Sequence, residues 1–200
     1  MEQSIDGIIG EIKKFAFGSL KEKRYEHSVR VAETASSMCA LYGLDEKKGY
    51  LAGIAHDICK GMNDEEVLSL AVQDGGKISS IEKNKPSLLH GRAAAVLLKK
   101  KFGVTDGDII ESVANHTLGK KNLCALSKII YAADKIEPGR PQSSDEYRKN
   151  LFAKPLDELV LFVVRENMAY LKSRGKKIAS SSRQFEKSLA KEIKKGGAKK

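Results

Sequence analysis

Apolar residues recur at three- and four-residue intervals along almost the whole chain, and no segment alternates apolar with polar residues as a half-buried strand must. This periodicity confines the chain to an all-α fold. Proline, which breaks helix interiors, occurs only 4 times in 200 residues. The spacing predicts a short helix over 5–20. A second, over 23–42, turns Val29, Ala32, Ala35, Met38 and Cys39 inward and stops at Gly43. Asp45 is placed to cap a third helix, which carries the run AGIAHDICK to Gly61. Asn63 or Asp64 opens a fourth, which ends at Gly75 and Gly76. Residues 77–85 read as a loop, and Pro86 suits the first turn of a helix reaching Lys101. Thr105 or Asp106 caps the next, to Asn115, and another spans 123–135 before Pro138. Residues 139–150 read as polar and irregular with a short turn near Asp145, and 155–174 as a long amphipathic helix.

A hydrophobic fraction of 41% is enough for one buried core, so a single domain is expected. The organisation expected is an N-terminal helix over 1–20, a helical bundle over 21–172 and a basic extension over 173–200, solvated as a helix or disordered. Residues 172–200 carry eleven Lys and Arg against two acids, leaving about +1 of the net +10 to the rest of the chain. The high charge therefore belongs to the C-terminal segment. Its default reading is a solvated tail, with contact to RNA or a dimer surface as alternatives. Cys39, Cys59 and Cys124 form no CxxC pair and lie in apolar-periodic segments, as buried thiols in a reducing compartment do. No stretch of 18 apolar residues is present and the start has no signal-peptide pattern, so a cytoplasmic protein with no membrane partner is expected.

Chemistry concentrates in six residues. The chain has four histidines, His27, His56, His90 and His116, and each lies near a predicted helix end. Asp57 follows His56 directly, and Asp134 lies in KIIYAADKIEPGR. Both aspartates sit in apolar helical surroundings, where a carboxylate is costly unless paired or bound to a metal. Any one of these residues alone reads more simply as a satisfied core group. A shared metal satisfies all of them at once. Imidazole with carboxylate suits iron, manganese or zinc. Neighbouring helical residues point about 100° apart, so the His56–Asp57 pair grips a metal at one edge of its helix and further ligands, His27 and Asp134, come from elsewhere in the bundle.

The runs HSVRVAETA from His27, AHDICKG from Ala55, LLHGRAAA from Leu88, NHTLG from Asn115 and YAADKIEPGR from Tyr131 resemble the metal-binding members of the HD-domain superfamily. In detail they are similar to the YqeK family, over about residues 21–172. That resemblance implies an all-helical hydrolase that cleaves diadenosine tetraphosphate symmetrically to two ADP. It implies His27, His56, Asp57 and Asp134 as ligands of a metal, iron first and manganese or another divalent transition metal next. His90 and His116 face the same cavity, holding either a second metal bridged by Asp57 or phosphate oxygens. Arg24, Lys60 and Arg140 are the implied cationic partners of the substrate phosphates. Their plainer readings are a solvated arginine, a cation at a helix C-terminus and a helix cap.

Two other functions share part of this pattern. A phosphohydrolase acting on a different nucleotide keeps the metal site and changes the pocket. A nucleotide- or RNA-binding module would use a closed structural metal. A homodimer through the 155–174 helix is a further expectation.

Overall fold

The computed structural model describes residues 4–197, and among them helices and turns account for all regular structure. Eleven α-helices follow in order: α1 (Ile5–Ser19), α2 (Glu22–Leu41), α3 (Glu46–Ala55), α4 (Asp64–Ala71), α5 (Ser80–Asn84), α6 (His90–Phe102), α7 (Gly107–Asn115), α8 (Ala125–Ile136), α9 (Asp145–Phe152), α10 (Leu156–Ser173) and α11 (Ser180–Gly197). Two short 3₁₀ turns, Val72–Asp74 and Pro86–Leu89, extend α4 and lead into α6. No helix of the described residues is long and apolar enough to cross a membrane.

Local chemistry explains the helix starts. Asp45 accepts hydrogen bonds from the Lys47 and Lys48 amides at the start of α3, and Asp106 does the same for Asp108 and Ile109 at α7. Asn63 and Glu66 form a reciprocal capping box on α4. At α8 the cap is a thiol, with Cys124 Sγ accepting from the Ser127 amide.

Three stretches differ from the sequence-based expectation. The third helix stops at Ala55, six residues short of Gly61, because His56 turns back onto the Gly53 carbonyl and hydrogen-bonded turns carry the chain from there. Residues 77–85 contain α5, held by Glu82, whose carboxylate takes both the amide and the hydroxyl of Ser79. Residues 139–150 contain most of α9, capped by Ser144 and fixed by the buried Leu151.

The tightest seam joins α2 and α3. A Cβ placed on Gly53 would lie 2.5 Å from Ala32 Cα, and one on Gly49 would lie 2.9 Å from the Ala35 carbonyl oxygen. Only glycine lets the two backbones approach this closely. The seam draws His27 on α2 and His56 at the end of α3 together, with ring centroids 5.2 Å apart. Helix α8 lies across α2, α3, α7 and α10, with Ile129, Ile130 and Tyr131 buried.

The C-terminal segment, read from its charge as a solvated helix or tail, is a helix with one buried side. Phe185 and Leu189 are fully buried, one turn apart. The Phe185 ring meets Tyr131 edge-on at 5.2 Å and covers Gly119, whose φ of 68° and lack of a Cβ make room for it. Lys128 on α8 ties the packing together by bonding both Asp157 and Glu192 at 2.7 Å. Lys187, Lys191, Lys194 and Lys195 of this helix are exposed.

Cys39 and Cys59 are free and buried. Burial pushes their thiols up to about 11 and about 12, which keeps them protonated packing groups.

Candidate metal centre

The six residues singled out in the sequence come together at one point, although they span more than one hundred positions. His27 comes from the second turn of α2, His56 and His116 from the residues that end α3 and α7, His90 from the start of α6, and Asp134 from the last turn of α8. Asp57 is the residue after His56. Its Oδ1 lies 2.8 Å from His90 Nε2 and 3.7 Å from His116 Nε2, and its Oδ2 lies 3.5 Å from His56 Nε2. Asp134 Oδ1 lies 3.1 Å from His27 Nε2 and 3.8 Å from His56 Nε2. All four imidazoles and Asp57 are buried.

In every imidazole Nδ1 is engaged on the outside. His56 Nδ1 donates to the Gly53 carbonyl at 2.6 Å, His90 Nδ1 to Ser87 at 2.7 Å and His116 Nδ1 to Val113 at 2.8 Å. His27 Nδ1 instead donates to the Glu137 carboxylate at 3.1 Å. These bonds fix the rings and leave every Nε2 facing the centre. There the acceptors crowd: His90 Nε2 and His116 Nε2 are 2.9 Å apart. Among the described residues His56 Nε2 is the buried side-chain polar atom that has no hydrogen-bond partner.

A divalent cation fits this donor set. Ligand atoms of His27, His56 and Asp134 lie within 4.8 Å of one another, and so do those of His56, Asp57 and His116. His56 belongs to both groups, so its orphaned nitrogen stands where two sets of ligands meet. The electrostatics agree. Burial pushes Asp57 upward, but the imidazoles around it, His56 first and then His116 and His90, outweigh it and hold the carboxyl well below its usual range. Asp134 is likewise pushed up by burial and held far lower by Lys135, the His27 hydrogen bond and the neighbouring imidazoles. The two carboxylates stay ionised and attract positive charge, as protons or as a metal. His116 is driven down to about 4, by burial first and then by His90 and His56, so it is neutral at pH 7.

The three cations named from the sequence also reach the centre. Arg24 Nη1 bonds Asp57 Oδ2 at 2.9 Å, and Arg140 Nη2 bonds Asp134 Oδ1 at 2.7 Å. Arg140 Nε also bonds the Asp134 carbonyl at 2.8 Å, so it is helix cap and site residue together. Lys60 Nζ stands 3.3 Å from His90 Nδ1. Together with the aspartates, His90 and His116 these cations line a cavity of about 690 Å³, to which α10 contributes Val163, Asn167 and Tyr170.

Sequence reasoning missed Glu137 and Arg30. Glu137 is 1% exposed and is held by Arg30 Nε and the Gly139 amide, both at 2.6 Å. Its place in the run around Asp134 was the available signal, but its partner lies 110 residues away. Glu137→Gln is expected to weaken metal binding about 10-fold to 100-fold, as loss of a carboxylate behind a ligating histidine does. Metal titration of the apo-protein checks this, and unchanged affinity would remove Glu137 from the site.

Comparison with known proteins agrees with this geometry. Residues 24–139 match the HD domain family, a span that holds His27, His56, Asp57, His90, His116 and Asp134. A symmetrical bis(5′-nucleosyl)-tetraphosphatase of Staphylococcus aureus is 35% identical over 66% of this chain and 68% of its own length. One of Bacillus subtilis is 32% identical over 80% of this chain and 85% of its own. The crystal structure of a predicted HD superfamily hydrolase involved in NAD metabolism, from Clostridium acetobutylicum, superposes with a TM-score of 0.85 at 28% identity. That match covers 96% of this chain and 100% of the other.

Proposed function

We propose that this chain, which belongs to the HD-domain family, hydrolyses dinucleoside tetraphosphates at the central anhydride, releasing two nucleoside diphosphates. The observation that carries the reading is the convergence of four imidazoles and two carboxylates on one centre, of which Asp57, His90, His116 and Asp134 line a cavity that also holds Arg24, Lys60 and Arg140. Relatives named as symmetrical tetraphosphatases supply the substrate class.

His27, His56, Asp57 and Asp134 would hold the principal metal, with iron as the proposed ion and manganese as its substitute. When bound, a divalent metal lowers the pKa of water to near neutrality and withdraws charge from a phosphoryl oxygen. The chain supplies the rest. Asp57, ionised and fixed by Arg24, orients the attacking water by accepting its hydrogen bond. Arg24 and Arg140 each spend part of a guanidinium on a carboxylate and keep N–H groups for phosphate oxygens, since their side chains are 39% and 33% exposed. Lys60, partly buried beside His90, offsets the charge that develops on the departing diphosphate. Neutral His116 acts as an acceptor or ligand rather than as a proton donor.

The test is product analysis. Protein loaded with iron or manganese and incubated with diadenosine tetraphosphate is expected to yield ADP as sole product. AMP with ATP would place the attack on another phosphorus and overturn symmetric cleavage. Absence of turnover with each metal would overturn the substrate class.

A further inference from the structure

A second cavity, of about 540 Å³, adjoins the one above. Both cavities fall in the size range of small-molecule sites. Leu88, Thr117 and Leu118 line both, so these three residues form the ridge between them. The ridge touches the centre of the site: Thr117 Oγ1 is 3.2 Å from His116 Nε2 and 3.5 Å from His90 Nε2.

The lining of the second cavity combines apolar side chains with polar and basic ones. Ile178 and Ala179, just before α11, are each 7% exposed and line it together with Ile81 of α5. Two other basic residues of the lining are already committed. Arg92 is spent on Asp74 and on the carbonyls of Gly76 and Lys77, and Lys120 is paired with Glu111. Lys77 and Lys177 are exposed, and among the described residues their ammonium groups have no partner. An apolar surface beside unpaired ammonium groups suits a nucleoside attached to phosphate.

Resting on the symmetric cleavage proposed above, the geometry points to this cavity as the seat of the second nucleoside. Cleavage at the central anhydride puts that bond at the metal and sends two equal halves outward from it. One half fills the cavity bounded by α10. The other must leave across a wall of the site, and the Leu88–Thr117–Leu118 ridge leads into a space of comparable size that Lys77 and Lys177 border. The C-terminal segment thereby forms part of the substrate site.

Two variants test this. Lys77→Glu with Lys177→Glu reverses two exposed charges, and Ser180→Trp fills the cavity from the first turn of α11. Each is expected to raise KM for diadenosine tetraphosphate about tenfold, as loss of uniform binding does. Adenosine 5′-tetraphosphate, measured as a competitive inhibitor, can seat its one nucleoside on the α10 side, so its inhibition constant is expected to move by about twofold or less. Circular dichroism and the unfolding midpoint confirm the fold of each variant. Equal shifts for both ligands, or no shift for either, would overturn the assignment while wild-type cleavage leaves the function standing. A wild-type protein that cleaves no diadenosine tetraphosphate overturns both.

Discussion

Asp57→Ala is expected to abolish metal retention and hydrolysis together, with a rate loss of about 10³-fold or more. The size of the effect follows from how many groups converge on one carboxylate. Asp57 faces His90, His116, His56 and Arg24 within 3.7 Å. Alanine leaves these cationic and imidazole groups crowded with Asp134 as the remaining carboxylate of the centre, so the site loses a proposed ligand and much of its attraction for positive charge. Elemental analysis of the purified variant, run beside the product assay, reads both effects. A variant with full metal content and full rate would remove Asp57 from the centre. Full metal content with a lost rate would keep Asp57 as the group that orients water but take it out of the ligand set.

Phe185→Ala is expected to destabilise the protein by about 3–5 kcal/mol, the usual cost of deleting a buried aromatic ring. For a chain of this length that lowers Tm by roughly 10 °C or more. The ring is fully buried against Tyr131 and over Gly119. Urea or thermal unfolding measures the change. A loss under about 1 kcal/mol would mean that α11 is not part of the cooperative unit.

The all-α class and most helices were legible because one-sided apolar spacing is a local signal. The missed elements are those whose stability is not local. Helix α5 has five residues and α9 lies in a polar stretch, and both depend on a cap plus one or two buried contacts. The end of α3 was placed too late because IleCysLys continues the apolar spacing, whereas the turn is set by a histidine side chain competing for a backbone carbonyl. At the C-terminus the eleven basic residues of 172–200 hid Phe185 and Leu189, which occupy the buried side of α11.

The site was legible for a different reason. Buried ionisable residues in apolar runs are costly, and here every histidine of the chain takes part. What the residues alone withheld was orientation. That Arg24 and Arg140 would first grip Asp57 and Asp134, and that Glu137 would stand behind His27, are matters of distance between positions far apart in the chain.

The way the rings are anchored divides the centre into robust and fragile parts. His56, His90 and His116 sit where helices end or begin and use backbone carbonyls three residues earlier, acceptors that every amino acid provides. His27 lies inside α2, where the carbonyls behind it are taken by the helix, so its anchor has to be a side chain. Three of the four imidazoles therefore depend on no anchoring side chain for their aim, although at Gly53 the α2–α3 seam separately requires glycine. The fourth hangs on a single replaceable carboxylate, and drift in ion preference among relatives should begin there.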